Sequence, residues 1–500
     1  MDLPELTVAG VQSAYARGEL TSAALVESFL QRIAQIDCAG TLLRSMIELN
    51  PDAVTIAEAL DAERRQGWVR GPLHGVPVVV KDSIDTADAM STSAGSLALD
   101  GNIAPRDAHL VSRLREAGAV IIGKTNMSEW GYMRSTRACS GWSSRGGQVR
   151  NPYVLDRSPL GSSSGSAVAV AANLCVVAVG AEVDGSIVRP ASSNSIVGLK
   201  PTVGLVSRSG VIGVADPQDT AGPMARNVAD VAALLTALTG FDDRDPVTRA
   251  GAAHAADDYR NFLHPAALRG ARLGVARECF GHHEGTDAVI EDALTVLHDL
   301  GAEIVDPVRA SSLPFFGDLE LDLFRYGLKA SVNTYLAGHP RAKVSSIDEL
   351  IEFNVRNATE VMPYFGQEFL KQARTKGDLT DPDYLQIAAE LRRRGRTDGI
   401  DKALNDFRLD AIVAPTEGSP PFAIDPVVGD NLLPGGCSTP PAVAGYPHIS
   451  VPAGYVHGLP VGLSFFAGAF QEPRLIAYAY AFEQAIQVRR PPEFVHSLTV

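Results

Sequence analysis

A serine- and glycine-rich stretch in the middle of the chain constrains the fold more than any other feature. Between residues 151 and 202 it carries two turns of small residues, Gly161–Ser166 and Asp184–Ser186. Runs of Gly and Ser alone are typical of flexible linkers. The segment between the turns, Ala167–Ala181, has no charge and is mostly apolar. It must therefore be buried, which a linker has no reason to be.

This burial places both turns beside core elements. We predict a helix over Gly165–Leu174, beginning at the first turn, and a short buried strand over Val176–Ala181. Backbone N–H groups at the ends of such elements lack partners within the element itself. Both turns are therefore expected to lie where backbone N–H groups are left free.

Composition and charge exclude several classes of protein. The chain has 500 residues, 45% of them hydrophobic and 20% charged, which is enough for a sizeable core. No stretch marks a domain boundary, and large α/β enzymes reach this size as one unit. A formal net charge of −14 argues against binding to nucleic acid or to an anionic membrane.

Cysteine usage and the first residues indicate the compartment. The five cysteines are odd in number, far apart and without a CxxC pair, which is typical of free thiols: Cys38, Cys139, Cys175, Cys279 and Cys437. The N-terminal sequence has acidic residues where a signal peptide has basic ones, and the longest apolar run, Ala167–Ala181, is too short to span a bilayer. We therefore expect a cytoplasmic protein.

Two further patterns concern the first hundred residues. Thr21 can cap a helix whose apolar face is Val26, Phe29, Leu30 and Ile33. An apolar strand over Val76–Val80 leads directly into Lys81. That lysine is either a surface side chain whose stem is buried or a buried amine with a chemical role.

Gly118–Thr125 matches the phosphate-loop pattern GxxxxGKT. A phosphate loop follows a strand and opens a helix. Here the order is reversed, because His109–Ala117 reads as a helix, Gly118 as its stop and Ala119–Ile122 as a strand. The context therefore argues against nucleotide binding through this motif.

Gly161–Gly165 matches the nucleophile elbow GxSxG, with Ser163 at its centre. An elbow follows directly on a strand, whereas the preceding residues 151–160 contain Pro152, Asp156 and Pro159 and read as a loop. The downstream histidines considered as partners lie in stretches without a matching acid pattern: His282, His283, His298, His448 and His457. No histidine is therefore nominated as a base, and we interpret GHHEG, with His282, His283 and Glu284, as a solvated loop rather than a metal site.

A serine mechanism without histidine needs another base. Lysine can serve if burial lowers its pKa so that the neutral amine is available. Because it combines this lysine with the two serine turns, the chain resembles the amidase signature family, and within that family the peptide amidases. The resemblance covers nearly the whole chain and rests on motifs in the family's order: GVPVVVKDSID (75–85), TSAGS (92–96), AGAVIIGKTNMSEW (117–130), GSSSGSAVAVAA (161–172), DGSIVRPA (184–191), VGLKPTVGLVSRSG (197–210), DTAGPMAR (219–226), DAIVAPT (410–416) and AGYPHISVPAG with GLPVGLSF (444–465).

The resemblance implies a fold and a set of catalytic residues. The fold would be one large α/β domain over residues 1–500, with a mixed central sheet covered by helices on both faces. Its signature core would span about 71–230 and 410–485, and the variable region of about 240–409 would shape the substrate pocket. The triad would be Lys81, Ser162 and Ser186, with Ser186 as nucleophile and Ser162 relaying its proton to neutral Lys81 after a cis peptide bond at Gly161.

The resemblance also suggests supporting residues. Backbone N–H groups of Val183, Asp184, Gly185 and Ser186 would form the oxyanion hole. Ser163 would either orient the triad or act only as a turn residue. A carboxylate at Asp184, where the family often has glycine, could repel acidic substrates or attract an amino group. Arg189 would either bind a substrate carboxylate or pair with Glu182 or Asp184.

The expected reaction is amide hydrolysis through an acyl-enzyme, without a metal or organic cofactor. The preferred substrate is the C-terminal carboxamide of a peptide, released as acid plus ammonia. The alternatives are an amidase for small acid, aliphatic or aryl amides, and an amidotransferase amidase subunit. From other classes, a nucleotide-binding protein acting through Gly118–Thr125 and a non-catalytic amide-binding module stay open. The expected bound molecule is a small-molecule amide or a short-peptide amide. The sequence is compatible with a monomer.

Overall fold

The apolar runs of the chain assemble mainly into one β-sheet. The computed structural model describes residues 4–310, 317–430 and 435–498. Its strands, numbered in chain order, are β1 Met46–Leu49, β2 Pro77–Lys81, β3 Val120–Thr125, β4 Trp142–Ser143, β5 Gly147–Gln148, β6 Val177–Glu182, β7 Val197–Lys200, β8 Thr220–Ala225, β9 Arg272–Ala276, β10 Glu303–Val308, β11 Ala411–Pro415, β12 His448–Val456 and β13 Leu459–Phe466.

The main sheet is mixed, as the sequence predicts. Within the described residues it has eleven strands in the order β1-β3-β2-β6-β8-β7-β12-β13-β11-β9-β10, while β4 and β5 form a separate pair. Strands β3, β2 and β6 run parallel to one another, and so do β11, β9 and β10. The other neighbours are antiparallel. Because β2 and β6 are adjacent and parallel, their carboxyl ends meet at one edge of the sheet.

Helices flank the sheet and complete a single large domain. In chain order they are α1 Val8–Ala16, α2 Ser22–Arg32, α3 Ala53–Arg65, α4 His109–Glu116, α5 Ser164–Ala171, α6 Val188–Ser193, α7 Val228–Leu238, α8 Thr248–Ala252, α9 Glu284–Asp299, α10 Asp318–Ala337, α11 Ile347–Arg356, α12 Ala358–Val361, α13 Glu368–Arg374, α14 Pro382–Gly395, α15 Asp401–Phe407, α16 Thr439–Ala444 and α17 Glu472–Ile486. Across the described ranges, no helix combines the length and apolar character that crossing a bilayer requires.

Two apolar clusters divide the helices by role. The larger cluster joins the sheet to α2, α5, α7, α9 and α17. A second cluster packs α10, α11, α13 and α14 against side chains that follow β2 and β3, including Ala94 and Trp130. The helices of residues 318–395 therefore cover the edge of the sheet where β2 and β3 end.

The predicted elements around the serine turns are confirmed within a few residues. Helix α5 begins at Ser164 and ends at Ala171, and β6 covers Val177–Glu182. Thr21 caps α2 by accepting a hydrogen bond from the Ala24 N–H. The predicted boundaries between the signature core and the variable region stay predictions. The predicted domain ends, Met1 and Val500, lie outside the described residues.

Gly165 allows the first serine turn to sit against neighbouring backbone. Its N–H donates to the Asn126 carbonyl over 2.9 Å. A Cβ at this position would lie 2.2 Å from the Ser45 carbonyl oxygen and 2.4 Å from that of Asn126. Backbone atoms on both sides cannot yield without moving the strands that carry them, so the position requires glycine.

We expect Gly165→Ala to lower the free energy of unfolding by about 3 kcal/mol or more, because the added methyl group displaces backbone rather than a flexible side chain. Urea denaturation followed by circular dichroism measures this change. Gly468→Ala is the matched control, since its Cβ would meet only Leu404 Cδ1 at 3.7 Å. Equal stability of the two variants would contradict this account of the turn.

Candidate active site

Lys81 is the last residue of β2 and is buried, with 2% of its surface exposed. Strands β3 and β6 flank β2 on both sides, so the lysine lies within the sheet and not at its outer edge. The Lys81 Nζ atom donates to Ser162 Oγ over 2.7 Å and to the Ala181 carbonyl over 2.7 Å. The lysine is therefore a buried amine directed at a serine hydroxyl, and not a surface side chain.

The electrostatic environment makes this amine a potential base. Burial lowers the pKa of Lys81 from 10.5 to about 7, and the carboxyls of Glu182 and Asp219 offset part of that effect. An amine with a pKa near neutrality is partly uncharged at physiological pH and can accept a proton.

The first serine turn connects this amine to the second turn. The peptide bond between Gly161 and Ser162 is cis, as the family resemblance implies. The Ser163 hydroxyl donates to the Ala181 carbonyl over 3.0 Å and accepts from the Ala181 N–H over 3.2 Å. The Ser163 N–H donates to the Ser186 carbonyl over 3.1 Å. Ser163 thus ties the first turn both to the end of β6 and to the second turn.

Ser186 lies in the second turn, between β6 and α6, and is 5% exposed. It lines the same cavity as Lys81 and Ser162. Gly185 precedes it with φ +75°, and a Cβ there would lie 2.3 Å from Arg189 Cδ. The glycine therefore allows the sharp turn that brings Ser186 to the cavity.

Glu182 fixes the backbone of this second turn. Its Oε2 atom accepts hydrogen bonds from the Ile187 N–H over 2.6 Å and from the Val188 N–H over 3.2 Å. The Gly185 N–H also bonds to this carboxyl group. Of the four N–H groups predicted for the oxyanion hole, those of Val183, Asp184 and Ser186 are therefore the stronger candidates.

Arg189 has a partner that the sequence analysis did not consider. Its guanidinium forms a two-point ion pair with Glu417, through Nε to Oε1 and through Nη2 to Oε2 over 3.0 Å. The expected pairing with Glu182 or Asp184 is therefore wrong as the main contact. Asp184 instead accepts from the Thr439 hydroxyl over 2.6 Å, and the Glu182 carboxylate is occupied by backbone N–H groups. Glu417 directly follows the buried strand β11 and its motif, which is the signal that could have identified it.

Two cavities meet at the serines. The larger, of about 680 Å³, is lined at its base by Lys81, Ser162 and Ser186. Helix α10 and the residues after it form another wall, which includes Thr334, Tyr335 and His339. The smaller, of about 20 Å³, is lined by Ser162, Ser186, Asp184 and Arg189 together with Phe324 and other residues. A molecule in the larger cavity can therefore reach both hydroxyls, with a small space beyond them.

The sequence analysis did not single out His339, although its ring lines this cavity. His339 Nε2 lies 3.0 Å from Asp85 Oδ2, and Nδ1 lies 2.7 Å from the Tyr335 carbonyl. Hydrogen bonds to Asp85 and the charge of that carboxylate raise the pKa of His339 against the effect of burial. Both ring nitrogens face acceptors, so this histidine acts as a donor and not as the base of the site.

The motifs set aside in the sequence have structural roles. Gly118–Thr125 forms a helix stop and strand β3, and the buried Lys124 amine donates to the Ile84 carbonyl and to Thr92 Oγ1. No phosphate loop is formed there. The interpretation of GHHEG as a solvated loop is wrong in part, because His283 caps α9 through Nδ1, which accepts from two N–H groups. In the described part of the chain, no group of three or more His, Cys, Asp and Glu is placed to hold a metal.

A buried lysine, a serine bonded to it and a second serine on a glycine turn are the expected parts of an amide hydrolase without histidine. Comparison with known proteins gives the same class. The amidase family model matches residues 24–476, and the chain belongs to this family of amide hydrolases.

Relatives and solved structures agree on the family. The chain is 39% identical to a probable amidase from Arabidopsis thaliana, over 99% of this chain and 92% of that protein. It is 38% identical to a glutamyl-tRNA(Gln) amidotransferase subunit from Halorhodospira halophila, over 96% of each. The native peptide amidase from Stenotrophomonas maltophilia superposes with a TM-score of 0.92 at 50% identity, covering 98% of this chain and 99% of that chain. These similarities confirm the family and the fold.

We expect Arg189→Met to lower the free energy of unfolding by about 2 kcal/mol, because it leaves the Glu417 carboxylate, whose side chain is only 12% exposed, without its cation. Chemical denaturation measures this loss. Arg17→Met is the matched control, since both side chains of its ion pair with Glu19 are 58% exposed and water screens the interaction, so stability should stay close to that of the wild type. If Arg189→Met retains full stability and only weakens the binding of carboxylate-bearing amides, a substrate-binding role replaces the structural one.

Proposed function

We propose that this amidase hydrolyses the C-terminal carboxamide of peptides through a Lys81, Ser162 and Ser186 triad. The observation that carries the proposal is the 2.7 Å contact between Lys81 Nζ and Ser162 Oγ, at the base of a cavity that Ser186 also lines. The similarity to peptide amidases over nearly the whole chain supports the choice of substrate.

The reaction begins with proton transfer. Neutral Lys81 accepts the proton of Ser162 as Ser162 accepts that of Ser186, and Ser186 Oγ attacks the amide carbonyl carbon. The turn over residues 183–186 supplies backbone N–H groups to the developing oxyanion, each such donor being worth about 3 kcal/mol of barrier. The proton then passes back through Ser162 to the amide nitrogen, the carbon–nitrogen bond breaks, and ammonia leaves the acyl-enzyme.

Deacylation uses the same groups in reverse. A water molecule attacks the acyl-enzyme, and its proton passes through Ser162 to Lys81. The carbon–oxygen bond to Ser186 breaks, the serine regains its proton, and the carboxylic acid leaves. Across acylation and deacylation, water is the only co-reactant that is consumed.

The two cavities support a primary amide as substrate. The 680 Å³ cavity can hold the acyl part of a short peptide, whereas the 20 Å³ cavity has room for about one water-sized molecule. A substrate bound across Ser186 with its acyl part in the larger cavity would direct the leaving nitrogen toward the smaller one. In that orientation the smaller cavity would accept ammonia more readily than a longer amine.

The substrate is tested with the purified chain alone. Ammonia release is compared for amidated dipeptides, small aliphatic amides and aryl amides, and the products are identified by mass spectrometry. A peptide amidase has its highest kcat/KM on the amidated dipeptide. Preference for the small amides would replace that assignment with a general amidase.

The similarity to the glutamyl-tRNA(Gln) amidotransferase protein favours one further candidate, an amidase subunit that delivers ammonia to a partner. A subunit of this kind is expected to need its partner for efficient amide hydrolysis. Efficient turnover of an amidated dipeptide by the chain alone, without activity on glutamine, would exclude it.

We expect Ser186→Ala and Lys81→Ala to lower kcat by at least about 10⁴-fold, because one lacks the nucleophile and the other the base. Ser162→Ala should lose less, about 10²-fold, since water can replace a relay hydroxyl. Ammonia release from an amidated dipeptide gives the rates, and circular dichroism verifies folding. Lys343→Ala, with its side chain 46% exposed, is the control and should match the wild type. A folded Ser186→Ala variant with substantial activity would exclude Ser186 as nucleophile.

We expect kcat/KM to rise with pH through about 7, because Lys81 must be neutral to accept a proton and burial lowers its pKa to about 7. The free-enzyme profile on a neutral dipeptide amide measures this dependence. The residual activity of Lys81→Met should lack the step near pH 7. A wild-type profile that falls as pH rises through 7 would contradict the assignment of Lys81 as base.

A further inference from the structure

A buried carboxyl group outside the proposed triad contacts the turn that carries Ser186. Glu320 lies in the first turn of α10 and is 2% exposed. Its Oε1 atom accepts a hydrogen bond from Gln218 Nε2 over 2.8 Å. Its Oε2 atom is buried and has no hydrogen-bond donor among the described residues.

The group opposite Glu320 is the carboxyl of Asp184, two residues before Ser186. Asp184 is also 2% exposed, and its Oδ2 atom accepts from the Thr439 hydroxyl. Its Oδ1 atom, like Glu320 Oε2, is buried, and the Ser438 hydroxyl lies beside the same Asp184 carboxyl. The Glu320 and Asp184 carboxyl groups contact each other. Two ionised carboxylates have no proton to donate, so this contact requires one proton between them.

The surrounding charges decide which group keeps the proton. Asp184 is near the Arg189 guanidinium, although that cation is paired with Glu417. Glu320 has no ion-pair partner within the described ranges. The cations near its helix, Arg325 and Lys376, are instead paired with Asp322.

Glu320 is therefore the protonated partner. Burial and the neighbouring Asp184 hold the pKa of Glu320 well above its ordinary value, and burial also raises the pKa of Asp184. The N-terminus of α10 favours a carboxylate at this position. That effect is weaker than the cost of a buried charge without a cation, and the Glu320 oxygens bond to Gln218 and Asp184 rather than to the helix N–H groups.

Gln218 extends this contact to the neighbouring residue of the turn. Its Nε2 atom, which donates to Glu320, also donates to the Val183 carbonyl over 3.4 Å. Glu320 therefore reaches the turn at two consecutive residues, directly at Asp184 and through Gln218 at Val183. These residues carry N–H groups proposed for the oxyanion hole.

We propose that protonated Glu320 is a positioning residue that holds the oxyanion turn through a shared proton with Asp184. The role in catalysis rests on the proposed function of this turn, whereas the shared proton does not. Loss of the proton at high pH would place two buried carboxylates against each other. Their repulsion would displace the turn and lower kcat while the protein stays folded.

Glu320→Gln is the discriminating variant. Its amide oxygen can accept from Gln218 and its NH₂ group can donate to Asp184, so both contacts are kept without a titratable proton. We expect near wild-type kcat on an amidated dipeptide at neutral pH, and loss of the alkaline decline that the wild type should show. Glu320→Ala loses both contacts and should lower kcat by about 10²-fold. Asp322→Asn, on the same helix but exposed, is the control and should keep the wild-type profile.

A second measurement detects the proton without using activity. The infrared difference spectrum between the wild type and Glu320→Gln at neutral pH should contain the C=O stretch of a protonated carboxylic acid. Absence of this band would overturn the proposal, even if Ser186→Ala removed all turnover. The positioning role would be overturned if kcat of Glu320→Gln still declined at high pH as in the wild type. It would also be overturned if Glu320→Gln lost as much kcat as Glu320→Ala. If Ser186→Ala instead stayed active, the proposed triad would be wrong. The infrared result would still show whether Glu320 and Asp184 share a proton.

Discussion

The hydrogen bond between the buried Lys81 amine and the Ser162 hydroxyl is the contact around which the site is arranged. An amine in an apolar sheet is stable there only if its protons find acceptors, which the Ser162 hydroxyl and the Ala181 carbonyl provide. Burial is also what brings its pKa to about 7. The same exclusion of water therefore creates the need for this contact and gives the amine its chemistry.

Parallel strands explain why these groups meet. β2 ends at Lys81 and its neighbour β6 ends at Glu182, so the lysine and the turn with Ser186 leave the sheet at the same edge. The first serine turn is held between them, because Ser163 bonds to Ala181 and to the Ser186 carbonyl. The helices of residues 318–395 then cover this edge, and α10 gives the larger cavity one of its walls.

Buried carboxyl groups organise the turn at Ser186. Glu182 binds backbone N–H groups, Asp184 accepts from Thr439, and Glu320 contacts Asp184. The Arg189 and Glu417 pair lies beside them. The proposed oxyanion hole would gain from N–H groups on a turn that these contacts hold rigidly, because such donors need no reorganisation during the reaction.

The sequence by itself determined the local elements and the residue types of the site. An uncharged segment between two small-residue turns predicts α5 and β6, and the apolar run before Lys81 predicts β2, because burial follows directly from composition over a few residues. The motif order indicated the family, and with it Ser162 and Ser186 as partners. Only the tertiary structure decided which distant groups contact these residues. Glu417, His339 and Glu320 lie far along the chain, and no local pattern encodes their packing against residues 81–189.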